Sequence, residues 1–474
     1  MALTAIAAAL LQIHATPMAG RWFPVDPAVL DAQVTRAWSE AARQAANVPP
    51  RQGLLALIVP HAGLVYSGVT AAAAYRLIGA APRAVIVLGF SHRVPLEGVA
   101  AVDVARFTLP GGAVVPVDRE AVRALGFPVR AEHTLCDHSL EIQLPFLRRA
   151  LPGTPVIPLY AGHLDAAALA TAACRLADRV RGGDLLMASS DFTHHGPTYG
   201  YTPFGETGDA LRERLALRAE EAFETIGSLD TAVFDRHLTE TGDTICGRDP
   251  IRLLMATLAQ LHGGRVYMSN AAYATGGDIR NSVGYGALAF YPASAFQVDA
   301  PARRTLLRHA RAALEADVDA APGPVLTGAS AAWEPQRTGA FVTLRKGGEL
   351  RGCVGVLAPR ESLAATVASR AIAAARSDPR FPRLTRAEFP VQLEVSLLTP
   401  LKRLSNWRDW RPGLGAVLTL GEAGGLLLPQ VAAEMRWGRE EFLAGLARKA
   451  GLAPEAYRDR RARLYVFEAQ VFGE

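Results

Sequence analysis

Lysine is almost missing from this 474-residue chain: only Lys346, Lys402 and Lys449 stand among 50 basic residues, so arginine carries nearly all the positive charge. With alanine equally plentiful, that bias reads as codon usage rather than chemistry. Cysteine is scarce as well. Cys136, Cys174, Cys246 and Cys353 form no C-x-x-C pair, which excludes a disulfide framework and leads to the expectation of a reducing, cytoplasmic setting. No apolar run reaches membrane length. The stretch Met1 to Ile13 is too short to span a bilayer and has no basic residue before Arg21, so it reads as an N-terminal extension or misassigned start, not a signal peptide. Nor is there a basic cluster interleaved with stacking aromatics, which argues against nucleic acid as a partner.

What is present is ordinary globular composition, half apolar and one fifth charged. The length exceeds what one hydrophobic core supports, so two or three domains are expected. Charge divides the chain: residues 301–474 hold 26 basic against 18 acidic residues, a balance of +8, and residues 1–300 hold 24 against 27, or −3.

From Leu54 onward, short apolar runs (Leu55–Val59, Ala84–Leu88, Val156–Tyr160, Leu185–Ala188) end in Gly, Pro or Ser, as buried parallel strands do. Helical periodicity appears in Ala166–Arg179, Asp209–Ile226 and Ile251–His262, and Val266–Ser269 and Ser282–Tyr291 read as further strands. The prediction is an α/β domain on a mainly parallel sheet over residues 16–297. Residues 301–474 follow another grammar. A helix is predicted over Arg304–Ala316, then a hairpin turning at Lys346-Gly347-Gly348-Glu349 and an alanine-rich helix over Ser362–Arg376. Strands follow at Val391–Leu398 and Leu464–Val471, with a helix Arg439–Ala450 capped by Gly451. This is a smaller α+β domain with antiparallel pairing.

His61 and His92 each follow an apolar strand, so both emerge at the carboxyl edge of the sheet, where ligands of open α/β folds collect. Two imidazoles on neighbouring strand ends can share a metal ion, although a single histidine after a strand is more often a hydrogen-bonded loop residue. Cys246 precedes Pro250 and a helix, and a helix N-terminus favours thiolate, the form that binds metals; the competing reading is a packed core thiol. In Ser190-Asp191-Phe192-Thr193-His194, Asp191 is placed to orient His194 as a proton carrier, or the pair is a capped surface turn. Asp137-His138-Ser139-Leu140-Glu141 reads as a helix start with His138 and Glu141 on one face, suited to holding neighbouring ligands in place, to substrate contact or to a surface pair. Arg248, in the polar loop after Cys246, is a third candidate for substrate contact. In the second unit Arg351 and Cys353 are the candidates, within Leu350-Arg351-Gly352-Cys353-Val354-Gly355; with His309 its only histidine, a metal site there is not expected.

Taken together, Ala19-Gly20-Arg21-Trp22-Phe23-Pro24, Pro60-His61-Ala62-Gly63, Gly89-Phe90-Ser91-His92, His138-Ser139-Leu140-Glu141, Ser189-Ser190-Asp191-Phe192-Thr193-His194 and Thr244-Ile245-Cys246-Gly247-Arg248-Asp249-Pro250 resemble the Memo family. Residues from Arg303 to Phe472 resemble the AMMECR1 family, through the segment around Cys353, Asp378-Pro379-Arg380-Phe381-Pro382, Glu394-Val395-Ser396 and Leu427-Leu428-Pro429-Gln430-Val431-Ala432. The resemblance implies a fusion of two components of the AmmeMemoRadiSam system, with a radical S-adenosylmethionine protein as partner. It also implies a first domain similar to class III extradiol dioxygenases, with His61, His92 and Cys246 as metal ligands and His194 as acid/base. Arg93 stands where Memo proteins often have a second histidine.

A thiolate in place of the carboxylate of the usual two-histidine Fe(II) site keeps Fe(II) the first expectation and admits Zn(II) and Cu(I). Three functions follow: an iron-dependent, dioxygenase-like oxidoreductase, a zinc-dependent hydrolase, and a non-catalytic scaffold that binds a small molecule or peptide for a radical enzyme.

Overall fold

The computed structural model describes residues 13–44, 50–323 and 336–474; the apolar N-terminal stretch lies outside them except for Ile13. The chain forms two compact units that divide at Pro292 and Ala293, slightly before the expected break. The reason is local: Val298 already belongs to the second core, and its amide donates to Gln470 Oε1 at 2.9 Å.

In the first unit β1 (Ile13–Ala15) pairs in parallel with β5 (Arg106–Thr108) in a small separate sheet completed by β6 (Val114–Pro116). The main nine-stranded sheet is built on β2 (Ala56–Val59), β3 (Val85–Gly89), β8 (Val156–Ala161) and β9 (Leu185–Ser189), all parallel and buried along their whole length. That burial on both faces explains why these strands read as unbroken apolar runs rather than alternating ones. Ile58, Ile86, Leu88 and Leu186 face a core shared with helices Ala166–Arg181 and Arg248–Ala259. From the opposite face Met187 meets Tyr75 of helix Leu64–Tyr75, whose hydroxyl lies 3.4 Å from the sulfur. The outer strands are β4 (Val99–Val102) and β7 (Val129–Arg130) on one side, and on the other β10 (His194–His195), β11 (Val266–Asp278) and the antiparallel β12 (Asn281–Pro292).

The central order is β2-β9-β3-β8. Hence β2 and β3, which lead to His61 and His92, are not neighbours as the sequence suggested. Strand β9 lies between them, which puts Asp191 between the two histidines.

The second unit has two four-stranded antiparallel sheets. One is ordered β14 (Glu349–Val356), β13 (Ala340–Lys346), β15 (Gln392–Leu398), β20 (Ala469–Gly473), and helices Ala300–Val318 and Leu363–Arg376 pack on it. The other comprises β16 (Lys402–Leu404), β19 (Arg463–Phe467), β17 (Gly415–Leu420) and β18 (Ala423–Leu427), covered by helix Arg439–Lys449. The β13–β14 hairpin turns at Gly347 and Gly348 with φ of +59° and +86°, the left-handed pair that glycine supplies without strain. The expected single strand Leu464–Val471 is in fact two strands in different sheets. Between them Glu468 and Thr399 exchange bonds: Thr399 N donates to Glu468 O at 3.0 Å, and Glu468 N donates to Thr399 Oγ1 at 3.0 Å. Among the described residues no helix is long and apolar enough to cross a membrane.

Candidate metal centre

His61, His92 and Cys246 come together: one ligand atom from each lies within 4.8 Å of the others. Donors on one tetrahedral ion, at bond lengths of about 2.0–2.3 Å, sit roughly 3.5 Å apart, so the trio fits a small metal ion with modest contraction. The set grades outward from buried His61 through half-buried Cys246 to exposed His92, leaving one side open.

Each histidine is oriented by its neighbours. Ser189 Oγ gives its proton to Ser139 O, and accepts from Gln143 Nε2 at 2.9 Å, so His61 Nδ1, 3.2 Å away, carries the proton and donates to it. The lone pair is thereby left on His61 Nε2, which faces Cys246 Sγ at 3.1 Å. Burial, followed by the charge of His92, pushes the His61 imidazole down to about 3, so it stays neutral and able to ligate. On His92 the backbone N–H and Nδ1 both approach Asp137 Oδ2, at 2.6 and 3.3 Å. Asp137 Oδ1 accepts from Ser139 N and Oγ at 2.9 and 2.7 Å. Burial raises the Asp137 carboxyl, but its bonds to His92 and Ser139 outweigh that and hold it below its ordinary value. A carboxylate behind a ligating imidazole fixes its tautomer and raises its basicity.

Two glycines allow the close approach. A Cβ on Gly89 would lie 2.9 Å from both Ser139 Oγ and the Tyr160 ring, and one on Gly247 would lie 2.4 Å from Ser190 Cβ. Gly247 N donates to Ser190 Oγ at 3.0 Å and seats the Cys246 loop against the end of β9.

Several expectations change. Asp191 does not orient His194; its Oδ1 accepts from the amides of His61 at 2.8 Å and Ala62 at 3.3 Å, because β9 ends beside β2. Burial raises Asp191 to about 6, partly offset by those amide bonds. His194 is held by Thr244: Nδ1 donates to Thr244 O at 3.0 Å and the backbone N to Thr244 Oγ1 at 2.8 Å, which leaves Nε2 free to accept a proton. Cys246 does precede a helix N-terminus, yet its thiol is pushed up, first by burial and then by the Asp191 charge, so without a metal it is protonated. Glu141 is fully buried and parts company with His138: Oε1 lies 3.0 Å from His14 Nε2 and Oε2 accepts from Thr16 Oγ1, leaving no oxygen for a substrate. His138 stacks on Trp22, ring centroids 3.7 Å apart, and meets the rings of His61 and His92 at 5.4 and 4.3 Å.

Arg248 is exposed, its guanidinium 3.4 Å from Asp249. It lines, with Phe90, Thr244, Ile245 and Cys246, a cleft of about 730 Å³, a volume typical of small-ligand sites. Sequence reasoning missed the supporting residues Ser189, Gln143, Asp137, Thr244 and Trp22 in these roles. Asp137 carried a signal, since it caps the helix His138–Glu141.

In the second unit Arg351 is a buried clamp. It binds Glu388 through Nε and Nη2, at 2.6 and 3.2 Å, and donates to Pro382 O at 2.9 Å. Cys353 accepts from Thr343 Oγ1 at 3.3 Å, and its backbone N donates to Asp378 Oδ2 at 2.8 Å. The Asp378-Pro379-Arg380 loop is thereby tied to the backbone of β14 at Cys353. Gln430 Nε2 reaches Glu394 and Ser396, each at 3.4 Å, so the separated motifs of this unit meet on one face of its first sheet.

A nine-stranded sheet with His61, His92 and Cys246 beyond its strand ends, followed by a two-sheet α+β unit, defines the class, and comparison with known families agrees. Residues 15–289 match the Memo-like protein model and residues 307–472 the AMMECR1 model. The chain belongs to the Memo family and is a fusion of a Memo domain with an AMMECR1 domain. It is 30% identical over 249 residues to the protein memo-1 homolog of Caenorhabditis elegans, covering 50% of this chain and 69% of that one. It is 41% identical over 179 residues to a protein of Methanothermobacter thermautotrophicus, covering 36% of this chain and 93% of that one. Among solved structures, the uncharacterized protein PH0010 of Pyrococcus horikoshii matches at 34% identity and a TM-score of 0.34, covering 36% of this chain and 89% of that one.

Proposed function

We propose that the Memo domain is a metal-dependent, dioxygenase-like oxidoreductase that holds Fe(II) on His61, His92 and Cys246. The observation that carries this reading is the convergence of three ligand atoms whose imidazoles are each tied from behind, by Ser189 and by Asp137. Fe(II) there supplies Lewis acidity and one-electron redox capacity. His194 accepts or returns a proton at Nε2, since Thr244 O holds its Nδ1 proton. Asp191 fixes the main chain at His61 and so sets where that ligand stands. Substrate, a small molecule or peptide, lies in the cleft beside Cys246, with Arg248 at its rim. The partner is a radical S-adenosylmethionine protein that shares the substrate.

The test is metal analysis of anaerobically purified protein, wild type and Cys246→Ala, combined with oxygen consumption. Stoichiometric iron that is lost in Cys246→Ala supports the proposal. Stoichiometric zinc with an oxygen-independent hydrolysis would replace it with the hydrolase reading, and full complementation by a His61/His92/Cys246 triple alanine variant would replace it with the scaffold reading.

A further inference from the structure

Behind the proposed iron site lies a second cluster of metal-ligating type: His14, Cys136 and Glu141, each offering one ligand atom within 4.8 Å of the others. Cys136 and Glu141 are fully buried and His14 is 8% exposed. The three come from separate places. His14 is on β1, Cys136 ends the short helix Glu132–Leu135, and Glu141 ends the helix His138–Glu141.

Each group is held from outside. Phe107 packs edge-on against the His14 ring, centroids 5.5 Å apart, and Thr16 Oγ1 donates to Glu141 Oε2, which leaves Oε1 as the oxygen facing His14 Nε2 at 3.0 Å. The Tyr160 hydroxyl lies against the Cys136 thiol. Outer groups that orient a carboxylate and a thiolate in this way are what a metal site needs beyond its ligands. A histidine–glutamate hydrogen bond alone has no need of a cysteine as third corner. One nitrogen, one oxygen and one sulfur within 4.8 Å of one another supply ligand types that zinc takes, for three of the four corners of a tetrahedral site.

We infer that His14, Cys136 and Glu141 form a second, structural metal site of zinc type, distinct from the site on His61, His92 and Cys246, which pins β1 to the helix that carries His138. Binding replaces the Cys136 S–H bond by a metal–sulfur bond and releases that proton to solvent, while the proton held between His14 Nε2 and Glu141 Oε1 moves to His14 Nδ1; no oxidant is required.

The experiment uses the full chain with Cys246→Ala, which disables the first site, loaded with Co(II) and desalted. The expected result is one cobalt per chain with a thiolate-to-cobalt absorption band, and loss of both when Cys136→Ser is added. A chelator should lower the melting temperature of Cys246→Ala in step with cobalt loss. No thiolate–cobalt band in Cys246→Ala would overturn the inference, as would a band that survives Cys136→Ser. Because Cys136 stays intact in the first measurement, misfolding of the double variant does not shield the proposal. The outcome is independent of whether the first site holds iron.

Discussion

Replacing Asp137 with asparagine tests whether the trio is a metal site supported from behind. Asp137 Oδ2 receives the His92 backbone N–H and faces its Nδ1, while Oδ1 receives two bonds from Ser139. Asparagine keeps one acceptor but turns the other corner into a donor, so either the His92 pair or the Ser139 pair is lost. Asparagine still caps helices well, and replacing a charge-assisted bond with a neutral one costs about 1 kcal/mol, so the domain should fold with a stability loss of roughly 1–2 kcal/mol. Metal affinity should fall more sharply. Loss of the carboxylate behind a ligating histidine weakens binding about 10–100-fold, or roughly 1.4–2.7 kcal/mol. The assay is anaerobic competition against chelators of graded affinity, with urea unfolding of the metal-free protein as the control. Metal affinity within about threefold of wild type, in protein showing the expected small stability loss, would refute the reasoning.

Gly247→Ala places a Cβ 2.4 Å from Ser190 Cβ and should push the Cys246 loop off β9, costing about 1–3 kcal/mol and abolishing stoichiometric metal binding at that site; calorimetry and metal analysis read both. The pH profile of metal-free protein is a second check. Burial, then the charges of His61 and His92, lowers His138 to about 3, and His61 is lowered likewise. Between the unfolded value near 6.5 and about 3 the unfolded chain binds the extra protons, so stability should fall as pH drops, by up to about 1.4 kcal/mol per pH unit for each histidine. His138→Gln should flatten that slope by one histidine's share, and an unchanged slope in chemical denaturation would contradict the assignment. In the second unit Arg351→Ala leaves Glu388 without its two-pronged partner and should cost about 2–4 kcal/mol. Arg351→Lys should recover little of it, because an ammonium cannot reproduce the fork; an effect below about 0.5 kcal/mol in urea unfolding would count against the clamp.

The strands that carry the site were legible because β2, β3, β8 and β9 are buried on both faces and so appear as short apolar runs closed by Gly, Pro or Ser. Helix Leu64–Tyr75 was not legible for the same reason: with nine of its twelve residues buried it shows no polar face from which a period could be read. The three candidate ligands could be picked out through their motifs, and the wiring between them could not. Whether Asp191 serves His194 or His61 depends on β9 lying between β2 and β3, and strand order is a tertiary fact. Glu141 was assigned to the wrong side because its partner His14 lies 127 residues away on a strand of another sheet.

The same distinction separates a ligand from a reactive thiol at Cys246. Position before a helix predicts an ionised sulfur, but the helix contribution is worth about 1 kcal/mol at a surface and burial beside Asp191 outweighs it. A thiol held protonated among neutral His61 and carboxylate Asp191 is a poor free nucleophile. A cation held by Cys246 together with His61 and His92 would reverse the balance, by stabilising thiolate where the protein alone does not. Proton release on metal uptake, measured by calorimetry in buffers of differing ionisation enthalpy, should therefore reach about one proton per ion above pH 7. Uptake without proton release would mean that the sulfur is not a ligand, and the chemistry would have to rest on His61 and His92 alone.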